Sequence, residues 1–367
     1  MKTVRKLVQA EVYRATAFVT LGFLGLFLFF DMVEEMRLVG LHAERGYSLE
    51  RAAWVLALKM PGYLYDVLPI TVLIGTIFVM ARMAQSSEFV VLRSGGLGPG
   101  RALWQLLQTG LVFVLLTFVV GDYISPLAER EIQRVRLVFR GEFTSGSTGA
   151  WLKERQDARH FAVNVRALDG DGRMRDVRIY EFNQQGQMKA WTQAQSGRFA
   201  QDAWQLEGVQ QKIIQSDRDG AQRIDALQKE RIDWPTEITE DMVSASLLQP
   251  QRMRTLDLFG YMRHLEQNNQ NAQRYRIEFW RKVFYPLSCL VMITLALPFA
   301  YLHYRSGQIA GHVFVGVMAG ISYYMLNNLF GFIGNLQNWQ PLVTSAAPAF
   351  IYSLVALGTF WWLVWRQ

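Results

Sequence analysis

Long apolar runs with few or no charged side chains alternate along this chain with polar segments. Crossing the hydrocarbon core of a bilayer takes about 20 apolar residues, so each long run predicts one membrane-spanning helix. A polar break at 334–341, rich in Asn and Gln, divides the last run into two spans. The pattern predicts six spans, at about 15–37, 53–81, 102–124, 280–304, 308–333 and 341–364.

Between the third and fourth spans the hydrophobic period falls to two, which is typical of β-strands separated by Asp, Asn and Gly turns. Strands are expected at 160–166, 177–182, 188–192, 204–210 and 224–234, with turns at 169–172, 183–186, 196–197 and 217–220. A basic helix at 129–140 precedes them and an amphipathic helix at 256–267 follows. The predicted fold class is an α-helical membrane protein with six transmembrane helices and an inserted all-β, jellyroll-like domain.

The predicted domain boundaries follow from this pattern. They are an N-terminal membrane half at 1–124, a β domain with flanking helices at 125–273, and a C-terminal membrane half at 274–367. The first apolar run is too long for a cleavable signal and lacks a small-residue cleavage site. The single cysteine, Cys289, lies within the fourth span and excludes a disulfide framework or a Cys-based metal site.

Membrane topology accounts for much of the net charge of +7, because basic residues concentrate in short loops on the cytosolic side. Those on one side of the predicted spans are Lys2, Arg5, Lys6, Arg14, Arg82, Arg93, Arg101, Arg305 and Arg366. Both termini and the loop at 82–96 are therefore expected in the cytosol and the β domain outside. No nucleic-acid partner is needed to account for the charge.

The loop at 82–96 is expected to contain a short helix that begins at a side-chain cap from Ser86 or Ser87. Glu88 then lies in the first turn, where a negative charge suits the helix dipole. Phe89 to Leu92 supply an apolar side, and Gly95-Gly96 ends the helix in a left-handed conformation. Such a helix suits the groove of a soluble partner, and the alternative is an interfacial helix resting on lipid headgroups.

The spans also carry polar and small residues. Asp31 and Glu34, three apart, share one helix face, and they either line a cavity or mark the membrane interface. Lys59 and Asp66 are expected to face the protein interior, too far apart to pair with each other. A basic collar, defined as Arg130, Arg134, Arg136 and Arg140, suits phosphates or acidic sugars, or is an ordinary solvated helix end. Gly316 and Gly320 would allow close helix packing.

The motifs of common catalytic sites are missing. The Gly-rich runs at 94–100 and 141–149 lack the Gly-Lys-Ser/Thr ending that grips nucleotide phosphates, and there is no His-Glu-x-x-His or Gly-x-Ser-x-Gly pattern. The chain is therefore expected to be no enzyme and to bind no cofactor. Energy for uphill transport would come from a partner that uses ATP.

Four motifs then carry a specific resemblance to the LptF/LptG family, the permeases of the lipopolysaccharide export ABC transporter. They are SEFVVLRSG at 87–95, GDYISP at 121–126, IYEFN at 179–183 and FWRKVFYPLS at 279–288. The Val-Val-Leu run favours the LptG branch. The resemblance covers essentially the whole chain, including the order of three spans, a β domain and three spans.

The resemblance implies a Gram-negative inner-membrane complex with an LptB ATPase dimer, LptF and LptC, with the β domain in the periplasm. The coupling residues would be Glu88, Phe89, Val90, Leu92 and Arg93. The lipopolysaccharide contacts would be Asp31, Glu34, Arg37, Tyr65, Arg134 and Arg136, and Gly316 and Gly320 would pack at a lateral gate with LptF. The chain departs from relatives in two places: Gln133 occupies a basic position, and Asp31 and Glu34 stand where relatives often carry Lys and Asp. In relatives the lysine contacts a phosphate of the lipid, and Arg37 is expected to make that contact here.

Three alternatives remain at this point. A permease of another lipid or lipoprotein ABC exporter would place its external domain after the first span, whereas here it follows the third. A membrane scaffold or sensor would transport nothing. A membrane enzyme of lipid or wall synthesis would need the catalytic groups that the sequence lacks.

Overall fold

The computed structural model describes residues 2–140, 149–156, 159–168, 172–200, 203–216, 222–240, 242–243, 250–268, 270–301 and 309–365. The chain divides into two units. The membrane unit combines Met1–Glu129 with Arg276–Gln367, and the β unit is Arg130–Tyr275. The β unit is thus an insertion in the chain of the membrane unit.

The first half of the membrane unit is built from long helices. They are α1 (Lys2–His42), α2 (Leu49–Gln85), the short α3 (Glu88–Ser94), α4 (Pro99–Val119), a π-helical turn (Val120–Ile124) and α5 (Ser125–Arg140). α2 begins where the Ser48 side chain accepts from Arg51 N–H, a standard helix cap. A 3₁₀ turn at Ala43–Arg45 follows α1.

After the strands, helices resume with α6 (Thr255–Gln267), α7 (Gln273–Phe284), α8 (Ser288–Ala296), a 3₁₀ segment (Leu297–Tyr301), α9 (Ile309–Leu336) and α10 (Pro341–Trp365). Five of the described helices are long and apolar enough to cross a membrane. The bent pair formed by α7 and the segment Ser288–Tyr301, with a 48° bend, makes a sixth. The structure therefore confirms the predicted helical membrane protein with an inserted β region.

The core of the membrane unit lies around α2, which is the most buried of the candidate spans. Leu73 and Ile77 of α2 are fully buried and pack with Met292 of α8 in one cluster. α1 and α10 leave most of their apolar side chains exposed, as expected for helices that face lipid or a partner.

The β unit contains six described strands. They are β1 (Ala150–Gln156), β2 (Arg159–Leu168), β3 (Arg173–Phe182), β4 (Met188–Ala200), β5 (Ala203–Ser216) and β6 (Gln222–Pro235). They form one antiparallel sheet in sequence order, so each strand pairs with its neighbours in the chain. On its buried face Trp204 donates from Nε1 to Ile238 O at 2.6 Å, which holds the segment after β6 against the sheet.

The first and last strands also approach each other at one end of the sheet. Gln156 Nε2 donates to Pro235 O at 2.7 Å, and the buried Glu154 carboxylate accepts from Glu237 N–H at 2.8 Å and from the Thr236 hydroxyl. A buried carboxylate is tolerated only with such donors. These contacts join the end of β6 to β1.

Two details of the β prediction need correction. β1 was not predicted, because three of the seven residues of Ala150–Gln156 are charged and none is β-branched. The expected turn at 196–197 is wrong: both residues lie inside β4, where Gly197 leaves room for the Leu206 side chain 2.8 Å from the position a Cβ would take. The turn at 183–186 is confirmed, with Gly186 at φ 76°. The expected turns at 169–172 and 217–220 lie almost wholly outside the described residues.

A buried histidine makes the β unit sensitive to acid. His264 of α6 is 2% exposed, and burial lowers its pKa below the ordinary 6.5, partly opposed by the carboxylates of Glu154 and Glu237. Below pH 6.5 the unfolded state therefore takes up this proton before the folded state does. The stabilisation is complete above pH 6.5 and falls as the pH drops, by up to about 1.4 kcal/mol per pH unit.

We expect hydrogen exchange of β1 amides in the full-length protein, corrected for intrinsic rates, to accelerate between pH 7.5 and 5. His264→Phe should abolish this dependence, and the same change at the partly exposed His160 should leave it intact. If the His264→Phe variant and the wild-type protein showed the same pH dependence, His264 would not be its source.

Candidate functional site

The short helix α3 lies in the connection between α2 and α4, the position predicted for a docking helix. Its start differs from the prediction. Ser87 is the N-cap residue but adopts a left-handed conformation at φ 59° and makes no side-chain capping bond. A side-chain cap normally needs an extended N-cap backbone. Ser86 Oγ instead donates to Met83 O at the end of α2.

The end of α3 is closed as expected, by glycine. Gly96 takes φ 93°, and its N–H donates to Arg93 O, while Leu97 N–H donates to Leu92 O, both at 3.0 Å. This bond pair is the Schellman motif, which usually brings an apolar contact between its two outer residues. Leu97 is buried and Leu92 packs against the same cluster. The helix therefore has a fixed length and direction.

One side of α3 is anchored to the membrane unit. Phe89 is buried and packs edge-to-face on Tyr301, with ring centroids 5.1 Å apart. The Arg93 guanidinium lies over the same Tyr301 ring, 5.1 Å from its centroid, as a cation–π contact. Of the predicted coupling residues, Phe89, Leu92 and Arg93 thus hold the helix in place.

The other side of α3 faces outward. Glu88 and Val90 are exposed, and so is Val91, at 66%, which the predicted set omitted. Val91 follows Glu88 by three residues and so lies beside it on the helix surface. A carboxylate beside an exposed valine on an anchored helix can enter an apolar groove that carries a basic or amide donor.

A second cluster joins the C-terminal part of α1 to the N-terminal part of α2. Lys59 Nζ lies 3.3 Å from Asp31 Oδ1 and 3.2 Å from Glu35 Oε1, and the side chains of Lys59 and Glu35 are 15% and 2% exposed. The Tyr47 hydroxyl donates to Glu35 Oε2 at 2.7 Å, and the Tyr63 hydroxyl donates to Asp31. One lysine therefore serves two carboxylates, each supported by a tyrosine.

This cluster confirms that Lys59 faces the interior but changes the predicted acid pair. The acids that share the contact with α2 are Asp31 and Glu35, four residues apart, whereas Glu34 points outward and bonds Arg37 at 2.7 Å. Asp31 is turned toward Lys59. Of the three residues predicted for lipid contact on α1, only Glu34 and Arg37 lie on the exposed surface.

Tyr65 is partly buried, and its predicted lipid contact stays a prediction. The Tyr65 ring packs on Tyr285, with centroids 4.7 Å apart, and occupies the place where a Cβ on Gly121 would lie. Tyr65 is therefore a packing residue between α2 and the π turn.

The basic collar is partly neutralised within the β unit. Arg130 Nη2 bonds Asp257 Oδ2 at 2.7 Å, and Arg134 bonds Glu131 at 3.1 Å, the second as an exposed pair along one helix. Arg136 is partly exposed, and the side chain of Arg140 lies outside the described set. Exposed pairs are weak, so Arg134 can exchange its partner for a ligand at small cost.

Gly316 and Gly320 pack helices together, but within this chain. A Cβ on Gly316 would overlap Ile77 of α2, and one on Gly320 would lie 3.2 Å from Ile70 of α2. Both glycines thus contribute to a contact between α9 and α2, and the lateral gate with LptF stays a prediction. The exposed face of α9 carries Phe314, Met325 and Phe332.

Comparison with known proteins identifies a family that this chain resembles along nearly its whole length. A family model described as the lipopolysaccharide export system permease LptF/LptG matches residues 8–366. The lipopolysaccharide export system permease protein LptG of Escherichia coli K12 is 26% identical over 356 residues, which cover 96% of this chain and 94% of that protein. The protein of the same name from Haemophilus influenzae is 28% identical over 351 residues, covering 94% and 92%.

Proposed function

This chain belongs to the family of lipopolysaccharide export permeases LptF/LptG, and we propose that it is one permease subunit of an ABC transporter that extracts lipopolysaccharide from the inner membrane. In this proposal a partner ATPase dimer of the LptB type hydrolyses the ATP, and a second permease, LptF, completes the membrane cavity. LptC and a periplasmic β bridge receive the lipid. The chain itself is proposed to hydrolyse no nucleotide.

The observation that carries this proposal is the construction of α3. A helix of seven residues is too short to be stable by itself, yet Phe89 and the Schellman closure fix it to the core. Its outward side, with Glu88, Val90 and Val91, is left for another molecule. A rigid anchor on one side and an exposed acidic–apolar surface on the other suit the transmission of force from a soluble motor.

The lipid side of the proposal rests on charge and apolar surface. Lipopolysaccharide carries anionic phosphates, which basic side chains bind with charge-assisted hydrogen bonds. Arg37, Arg134 and Arg136 are the basic residues we assign to this role. Closure of the membrane cavity on ATP binding would then push the acyl chains toward the β unit, which we place in the periplasm with both termini in the cytosol.

The direct test is co-purification of this chain with the candidate ATPase, LptF and LptC, followed by mass spectrometry of bound lipid. We expect a stoichiometric complex that holds lipopolysaccharide and hydrolyses ATP. A folded chain that purifies without an ATPase and without lipopolysaccharide would contradict the proposal and favour a scaffold.

The assigned arginines give a separate prediction. Arg134→Glu combined with Arg136→Glu should lower photocrosslinking of lipopolysaccharide to α5 by about tenfold, because two attractive contacts become repulsive. Arg223→Glu, on an exposed arginine of β6, is the matched control and should have no effect. Unchanged crosslinking in the double variant would reduce the collar to a solvated helix end.

A further inference from the structure

Two motifs have no role in the proposed function so far. GDYISP at 121–126 forms the π turn between α4 and α5, and FWRKVFYPLS at 279–288 contains the break between α7 and α8. Along the chain, these are the points where the inserted segment leaves the membrane unit and where it returns. The structure brings the two motifs into direct contact.

The sequence explains why the π turn leaves the Gly121 carbonyl without its usual hydrogen bond within the helix. Ser125 N–H donates to Val120 O, which is the five-residue spacing of a π turn. The same spacing would pair Gly121 O with the N–H of residue 126, but Pro126 has none. In a membrane-spanning segment a freed carbonyl must find a donor on a neighbouring element.

Lys282 of α7 supplies that donor. Its Nζ donates to Gly121 O at 3.3 Å, and the side chain is 8% exposed. The contact depends on glycine, because the Tyr65 ring fills the place of a side chain at 121, and Tyr65 packs in turn on Tyr285.

Polar contacts also hold α7 to other helices of the membrane unit. Arg281, next to Lys282, donates to Asn328 of α9, and the Tyr285 hydroxyl donates to Asp66 O of α2 at 2.7 Å. Arg281 and Lys282 therefore bind α7 to two different partners, α9 and the π turn. The Lys282 bond is buried and the Arg281 bond is partly buried, and hydrogen bonds in such surroundings are stronger than exposed ones. A movement of either partner would therefore be passed to α7.

We infer that Lys282 is a positioning residue for transport: by bonding Gly121 O, it makes the π turn and α7 move as one body when the membrane unit changes shape. The inference rests on the proposed transport function. Without the lysine, the π turn loses the hydrogen bond that ties Gly121 O to α7. The π turn and α7 then move independently. The alternative is that the bond from Lys282 to Gly121 O adds stability and has no part in transport.

The test uses the full complex with its ATPase, carrying spin labels at Ile124→Cys and Val283→Cys. Both positions are exposed, and Cys289 is the only native cysteine and is buried. Lys282→Met removes the donor at similar volume, and Lys282→Arg keeps a donor. Arg274→Met, on an exposed arginine of the same helix, is the matched control. The readouts are the label-to-label distance distribution with and without ATP, and the lipid released per ATP hydrolysed.

In the wild type and in the Arg274 variant we expect one narrow distance distribution that ATP leaves unchanged. Lys282→Met should broaden it and lower the lipid released per ATP by about tenfold, within the range of measured coupling between sites, and Lys282→Arg should restore part of both. A Lys282→Met protein that melts earlier but keeps the wild-type distances and ratio would overturn the inference. If the wild type releases no lipid with ATP, the transport proposal fails, and the distance distributions still decide whether the two segments are locked together.

Discussion

Glu88→Lys is expected to remove the ATPase partner from the purified complex while leaving the permease folded. The carboxylate lies at the exposed start of α3, so its reversal does not disturb the Phe89 anchor or the Schellman closure. The loss of a favourable helix-dipole contact costs only about 0.3–1 kcal/mol. Reversing a charge that pairs across an interface costs about 2–5 kcal/mol, so ATPase retention should fall by at least about tenfold.

The measurement is the ratio of ATPase to permease after affinity purification, together with lipid export. Ser94→Lys adds a positive charge at the other end of the same helix, where the dipole tolerates it, and should keep the ratio. Phe89→Ala should also lower the ratio, by loosening the anchor from inside. A Glu88→Lys complex with the wild-type ratio and normal export would show that α3 does not dock through this carboxylate.

Lys59→Met is expected to destabilise the contact between α1 and α2 strongly. It leaves the carboxylates of Asp31 and Glu35 without their shared cation, 3.3 and 3.2 Å from where Nζ was. Removing one partner of a buried ion cluster costs about 3–5 kcal/mol, because the remaining charge stays desolvated. The melting temperature of the detergent-purified protein measures the loss.

The same cluster provides its own controls. Adding Asp31→Asn and Glu35→Gln to Lys59→Met removes the stranded charges and should recover much of the loss. Glu34→Gln breaks the exposed pair with Arg37, one residue from Glu35 on the same helix, and should cost at most about 1 kcal/mol. Equal losses from Lys59→Met and Glu34→Gln would contradict the assigned cluster.

The spans and most of the β unit could be predicted from sequence because apolar runs and two-residue alternation are strong local signals. β1 escaped because its inward residues are Ala150, Leu152 and Glu154, and a buried glutamate breaks the pattern. Donors from Thr236 and Glu237, more than eighty residues away, satisfy the buried carboxylate together with the nearby Gln156. A local pattern holds no trace of such partners.

The location of the candidate site was predictable from the sequence. Which of its residues anchor the helix and which face outward was not. The sequence located α3 and its acid, yet which apolar residues anchor it depends on where Tyr301 lies. Asp31 was paired with Glu34, although the four-residue spacing to Glu35 was equally available in the sequence. The choice between spacings is made by the packing of α1 on α2, a tertiary contact. Likewise, the small residues Gly316 and Gly320 indicated close packing without revealing that Ile77 and Ile70 of the same chain are their partners.

We propose that α3 and the β unit lie on opposite sides of the inner membrane, so that force taken up on one side moves lipid on the other. A single cysteine at Gly100, just after α3, or at Lys229 of β6 can report this, because both positions are exposed and the native Cys289 is buried. The measurement is labelling of each variant by a membrane-impermeant maleimide in spheroplasts, before and after permeabilisation. The account predicts that Lys229→Cys is labelled in intact spheroplasts and Gly100→Cys only after permeabilisation. Labelling of both from the same side, or the reverse order, would contradict it.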